Sequence, residues 1–264
     1  MEQVIAWIVS LITSVAPMGR KQFIPEATES IEETEIRYNS IAFDAMSVAY
    51  DPQEKPLFSG SHGRARTIMV LLATDLYESS FRRDVDFGLG KLSRGDGGKS
   101  WCLNQINLGK SDAEGNTPYR IIVTIGGGYK FTTKPDEGWS GTDLVQDRKK
   151  CFYAALAIIR SSFAATYSLP LEDKLKVYAS GSLDKGEGAS RRRMGLAMRW
   201  MTVKAPNFRD AEVLQWMEEQ QEPEYNRGID LDLPVAGVEH RPMLVATGVY
   251  MTVHKLPPLG GTAL

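Results

Sequence analysis

The stretch that decides the fold is Ala65-Arg66-Thr67-Ile68-Met69-Val70-Leu71-Leu72-Ala73-Thr74-Asp75-Leu76-Tyr77-Glu78-Ser79-Ser80-Phe81. Wound at about 3.6 residues per turn, it sets apolar side chains on nearly every side, and a helix of that kind is stable only when buried. Glu78 stands on its last turn. Desolvation raises the pKa of a carboxyl, so an acid at the end of a core helix can hold its proton near neutral pH. A helix-terminal Glu is more often a solvated surface residue, so the signal gains weight only from its neighbours.

Working outward, residues 27 to 50 read as a helix, with Ile31, Ile36, Tyr38, Ile41, Ala42, Ala45 and Met46 at spacings of three to five and acidic residues Glu33 to Glu35 near its start. Asp51, Pro52, Pro56 and residues 60 to 63 form the loop before the core helix. Ser100 to Leu108 reads as a short strand-turn unit, and Arg120 to Ile125 as a strand leading into Gly126-Gly127-Gly128. No Gly-Lys-Ser/Thr follows these glycines, so they predict a hairpin turn and not a phosphate loop. Thr142 and Asp143 predict the cap of one long helix to about Phe163. Further helices are expected over Leu171 to Ala179, from Ser190 as cap to about Thr202, and over Asp210 to Gln220.

Composition excludes little but bounds the rest. The 264 residues carry 31 Lys and Arg against 33 Asp and Glu, a formal charge of -2 that gives no electrostatic ground for a nucleic-acid partner. Cys102 and Cys151 are the two cysteines, and one bridge or two free thiols fit equally. Val4 to Ala16 is an apolar run too short to span a bilayer, which takes roughly 20 apolar residues. Its length suits a signal peptide, but Glu2 stands where a basic residue is usual, so an apolar helix packed on the domain or on a partner is the preferred reading. His62, His240 and His254 are scattered with no Cys pair beside them, so neither a metal nor a cofactor is expected.

Two segments together point further. Tyr77-Glu78-Ser79-Ser80-Phe81-Arg82-Arg83, followed by Gly97-Gly98-Lys99-Ser100-Trp101-Cys102-Leu103-Asn104-Gln105-Ile106-Asn107, resembles the first two motifs of the lytic transglycosylases and goose-type lysozymes, a helix ending Glu-Ser and then Gly-Leu-Met-Gln-Ile/Val. Tyr178-Ala179-Ser180-Gly181 is similar to the family's Tyr-Asn-Ala-Gly motif. Cys102 stands for the motif Gly, Asn104 for the Met, and Asn107 where goose-type lysozymes have Asp. The resemblance covers roughly residues 60 to 202 and implies an α+β, mainly α, lysozyme-like fold with a small β-sheet. The organisation expected is an N-terminal helical extension over 1–59, the lysozyme-like domain over 60–205 and a partly irregular C-terminal extension over 206–264.

The same resemblance implies the activity and the site. Glu78 matches the general acid/base that cleaves the glycan strands of peptidoglycan, and Ser100, Gln105, Asn107 and Tyr178 match positions around the sugar cleft. Inverting hydrolysis needs a second carboxylate roughly 6.5–9.5 Å from the acid, and a retaining path one at about 5–5.5 Å. Asp84, Asp86 and Asp96 are the nearby candidates, each read as a solvated or Arg-paired turn residue. With one carboxylate in hand, attack by the sugar's own 6-hydroxyl to give a 1,6-anhydro end is favoured over attack by water. Trp101 and Trp139 are read as core more than as sugar platforms, and Arg191, Arg192 and Arg193 as a charged helix face more than as a site for anionic wall polymer. The setting expected is the cell wall, the periplasm or a phage virion. Muramidase hydrolysis, or a non-catalytic glycan-binding or assembly role through the apolar N-terminus or the tail, are the alternatives.

Overall fold

An all-round apolar helix needs neighbours on every side, and helices both before and after it in the chain supply them. A computed structural model describes residues 1–19, 28–109, 120–124, 126, 128–132 and 137–221, which fall in the unit Met1–Glu222. The tail read as an extended C-terminal segment lies, from residue 222 onward, outside the described residues. The described part is α+β and mainly helical, with two small antiparallel sheets.

Helix α1 (Glu2–Thr13) buries Val4, Ile8, Leu11 and Ile12 at helical spacing. It packs on α2 (Ile31–Ala49), where Tyr38 donates its hydroxyl to Ala16 O at 3.0 Å. Trp7 donates to Lys204 O at 2.8 Å and meets Phe208 edge to face at 5.4 Å, so the apolar run is part of the fold. No helix among the described residues is long and apolar enough to cross a membrane. Helix α2 begins with a capping box, Ser30 and Glu33 each accepting the other's backbone N–H. The segment read as an N-terminal extension thus shares one hydrophobic core with the helices further along the chain.

Helix α3 (Gly63–Ser79) buries Ala65, Ile68, Met69, Val70, Leu71, Leu72 and Ala73 completely. It has no cap of its own. The carboxylate of Asp210 accepts from Arg64 N at 2.8 Å and Ala65 N at 3.3 Å, and also takes the Tyr50 hydroxyl at 2.9 Å. Ser80 and Phe81 end the helix in left-handed conformations, φ 54° and 52°, which cost free energy for non-glycine residues. Full burial of the Phe81 ring against Tyr38, and Arg37 donating to Phe81 O at 3.1 Å, hold that turn.

The short α4 (Arg83–Asp86) delivers Asp86 to Arg148, which grips it in a fork at 2.7 and 3.0 Å. Strands β1 (Ser100–Trp101) and β2 (Ile106–Asn107) pair with Ser100 opposite Asn107. Strands β3 (Arg120–Thr124) and β4 (Gly128–Thr132) form the hairpin expected around Gly126.

Three helix expectations need correction. The long helix is two: α5 (Gly141–Gln146), capped by Ser140 in a box with Asp143, and α6 (Arg148–Ala165). The break falls at Asp147, whose side chain accepts Lys149 N and restarts the helix, turning Arg148 toward Asp86 and Asp44. Residues 171–179 divide into a 3₁₀ turn, Leu171–Asp173, and α7 (Lys176–Ser180), because Ser162 donates to Lys174 O while Ser190 Oγ accepts Leu175 N. Helix α8 (Glu187–Val203) starts ahead of Ser190, which is therefore an internal brace and not its cap. Helix α9 (Asp210–Gln221) completes the described chain.

Cys102 and Cys151 are bridged, tying the β1–β2 turn to α6 across a separation of 49 residues. By the chain-entropy account a loop of that size contributes about 4 kcal/mol.

The cap on α3 is testable. Replacing Asp210 by Ala strips two backbone N–H groups and a buried hydroxyl of their acceptor, and should cost about 2 kcal/mol, seen as a thermal midpoint lower by roughly 4–8 °C. An unchanged midpoint contradicts the capping role.

Candidate active site

The last turn of α3, the β1–β2 region, β4 and α7 surround a cleft of about 770 Å³. Of the expected residues, Glu78, Gln105, Asn107 and Tyr178 all line it. Ser100 does not; it is 1 % exposed and lies beneath the wall. Two residues passed over in the sequence, Tyr129 and Phe131, also line it, together with Ile158 and Val177, so the lining is both polar and apolar.

Glu78 is shielded without being sealed, its side chain 21 % exposed. Arg193 donates Nη2 to Glu78 Oε1 at 2.6 Å. The carboxyl's pKa is raised above its ordinary value: burial is the largest influence, the charge and hydrogen bond of Arg193 oppose it, and the charge of Asp96 adds to it.

Asp96 is the second carboxyl that lines the cleft, and it is the exposed turn residue expected. Ser100 Oγ donates to its Oδ2 at 2.7 Å and Asn107 Nδ2 to the same oxygen at 3.0 Å. Gly109 N in turn donates to Asn107 Oδ1 at 2.9 Å, which orients that amide. Ser100 and Asn107 therefore hold Asp96 directly; a second carboxylate at 107 would repel it, and an amide there donates to it. Asp84 and Asp86 are Arg-paired as expected, through Arg82 and Arg148.

Gln105 spends its amide on the loop. Its Oε1 accepts Gly95 N at 2.7 Å, and its Nε2 donates to Ser93 O and Cys102 O at 3.2 and 3.0 Å. A Cβ at Gly95 would lie 2.5 Å from that Oε1, so only glycine allows the approach. Tyr178 donates its hydroxyl to Asn104 O at 2.8 Å. Burial and the negative charge of Glu78 push its phenol well above the usual range.

Arg193 was hidden in the run Arg191-Arg192-Arg193. Arg191 does lie on a charged face, paired with Asp173 and Glu187, whereas Arg193 is 8 % exposed. The buried face of α8 is Ser190, Arg193, Met194, Ala197, a spacing of three and four that marks Arg193 as inward. Trp101 is core, covered by Arg94 at 4.0 Å, and Trp139 is half-buried beside Lys150. Besides Tyr178, the aromatic residues of the cleft are Tyr129 and Phe131, on one face of β4 with centroids 5.4 Å apart; Phe131 is 47 % exposed. Among the described residues no group of His, Cys, Asp and Glu is placed to hold a metal ion. His240 and His254 lie outside the described residues.

No protein-family model, curated protein or solved structure matches the chain.

Asp75, one turn before Glu78, is fully buried, and neither of its carboxyl oxygens has a hydrogen-bond partner among the described residues. Burial first, then the charges of Asp86 and Glu78, push its pKa well above 3.8, so the folded protein keeps this proton more firmly than the unfolded chain does. The associated stability is present below the unfolded value and drains away as pH rises through the folded one. Asp75→Asn should therefore flatten the fall in urea midpoint between mildly acidic and mildly alkaline pH, whereas parallel curves for the two proteins contradict the assignment.

Proposed function

We propose that the protein is a peptidoglycan lytic transglycosylase of lysozyme-like fold, cleaving the β-1,4 bond between N-acetylmuramic acid and N-acetylglucosamine, with Glu78 as general acid and base. The observation that carries this reading is a water-shielded carboxyl with a raised pKa on the wall of an open cleft. A glycosidic oxygen is a poor leaving group unless protonated, and a carboxyl whose pKa is raised by burial is the better placed to supply that proton. Tyr129 and Phe131 in the lining offer ring faces for sugars, while Glu78, Asp96 and Asn107 offer polar partners for hydroxyl and acetamido groups.

The steps balance on one carboxyl. Glu78 gives its proton to the glycosidic oxygen as the C1–O bond breaks and positive charge develops on the muramic ring. The carboxylate so formed then removes the proton of the 6-hydroxyl while its oxygen bonds to C1. A 1,6-anhydro end results and Glu78 is protonated again. No cofactor is required. The setting proposed is a bacterial cell wall, reached in the periplasm or from a phage particle, with a protein partner at the N-terminal helix or the tail.

Hydrolysis is the second reading, favoured by Asp96: two donors orient this carboxylate, and its charge is felt at Glu78. In that mechanism Asp96 directs a water at C1, and the product carries one more water than the anhydro end.

Zymography on purified walls tests the activity. Wild type should clear them and Glu78→Gln should lose about 10²-fold or more. Equal traces support a non-catalytic glycan-binding protein instead. Mass spectrometry of the products separates the two mechanisms: anhydro ends retained in Asp96→Asn support transglycosylation, while hydrated ends that disappear in Asp96→Asn support hydrolysis.

A further inference from the structure

Arg193 supplies the sole hydrogen bond that a protein group makes to the Glu78 carboxyl among the described residues. It reaches the carboxyl from α8, outside the cleft lining, with its guanidinium almost fully buried. The group is fixed on other sides too: Nη1 donates to Ala189 O at 3.0 Å, and the guanidinium carbon lies 5.9 Å from the Tyr77 ring centroid. Its Nε is buried with no hydrogen-bond partner among the described residues, a cost that an arginine free to move would avoid. A rigid cation has been set against one oxygen of the carboxyl.

The consequence depends on what each group can donate. Guanidinium has donors and no acceptor, and it does not lose its proton in a protein. Facing it, a neutral Glu78 presents its stronger acceptor, the carbonyl oxygen, at Oε1. The acid's proton then resides on Oε2, which has no protein hydrogen bond among the described residues. We infer that Arg193 is a positioning residue that fixes the proton of Glu78 on Oε2 and neutralises the carboxylate once that proton has gone to the leaving oxygen. In the second half of the reaction Oε2 recovers a proton from the attacking hydroxyl, and Arg193 stays charged throughout. This rests on the glycan-cleaving reading of Glu78 and holds for either attacking group.

The other charged or titratable groups acting on Glu78 are Asp96, whose charge favours the protonated acid, and Tyr178 and Asp75, which share its buried surroundings. Removing the cation leaves Asp96 and burial unopposed, so the acid weakens and stays protonated to higher pH. With purified sacculi as substrate, Arg193→Gln should lower kcat by about 10- to 100-fold, the loss expected for one charge-assisted hydrogen bond, with KM little changed. Its alkaline limb should also move to higher pH. Arg193→Lys, which keeps a cation but not the fork, should fall between the two proteins in both respects. A merely structural role would lower the amount of folded enzyme without moving the limb.

Wild-type kcat with an unmoved limb in Arg193→Gln overturns the inference. If that variant folds poorly, Arg193→Lys decides: an intermediate kcat with a displaced limb supports the inference, and an unaltered profile overturns it. Should wild type leave sacculi intact, the glycan reading fails by itself. The hold of Arg193 is then judged by following the Glu78 carboxyl signal with pH, where a midpoint unchanged in Arg193→Lys or Arg193→Gln overturns it.

Discussion

Everything else in the structure depends on the burial of α3. A helix with apolar side chains on nearly all sides has to be surrounded, and α1, α2, α6, α8 and α9 each pack on it. The carboxyl on its final turn is consequently carried to the edge of the core, where water is scarce but a cleft is still open. The position of this carboxyl is thus an outcome of core packing, to which the N-terminal helix, the Asp210 cap and the Cys102–Cys151 bridge contribute.

Around Glu78 the charges are balanced against one another. Arg193 favours the carboxylate, while burial and Asp96 favour the acid. In the proposed reaction both would be needed, since an acid held too tightly in either form fails at one half of the cycle. The nearby Asp86 cluster, with Arg148, Arg37 and Asp44, is of another kind: its ion pairs, joined by that of Arg37 with Glu29, anchor α2, α4 and α6 to one another.

Those parts of the fold that rest on short-range pattern could be read from the residues. The apolar run 65–81, the hairpin at Gly126 and the helix from Asp210 are visible because periodicity and turn chemistry act locally. Glu78, Gln105, Asn107 and Tyr178 were legible through a motif resemblance and meet at one cleft. What could not be read depends on which partner a polar side chain takes, near or far along the chain. Ser162 and Ser190 interrupt a helix by taking its backbone groups, Asp147 splits another, and Ser100 turns inward to hold Asp96. Local pattern also left Arg193 among three arginines, although its place in the 190, 193, 194, 197 spacing was a usable sign.

The central claim, a Glu78 that keeps its proton, is tested most directly by following its side-chain carboxyl with carbon NMR as pH is varied in the intact wild-type protein. The expected titration midpoint lies above the ordinary glutamate value of 4.5. A midpoint at or below that value would mean that the cation prevails over burial, leaving no proton to deliver near neutral pH, and would contradict the claim.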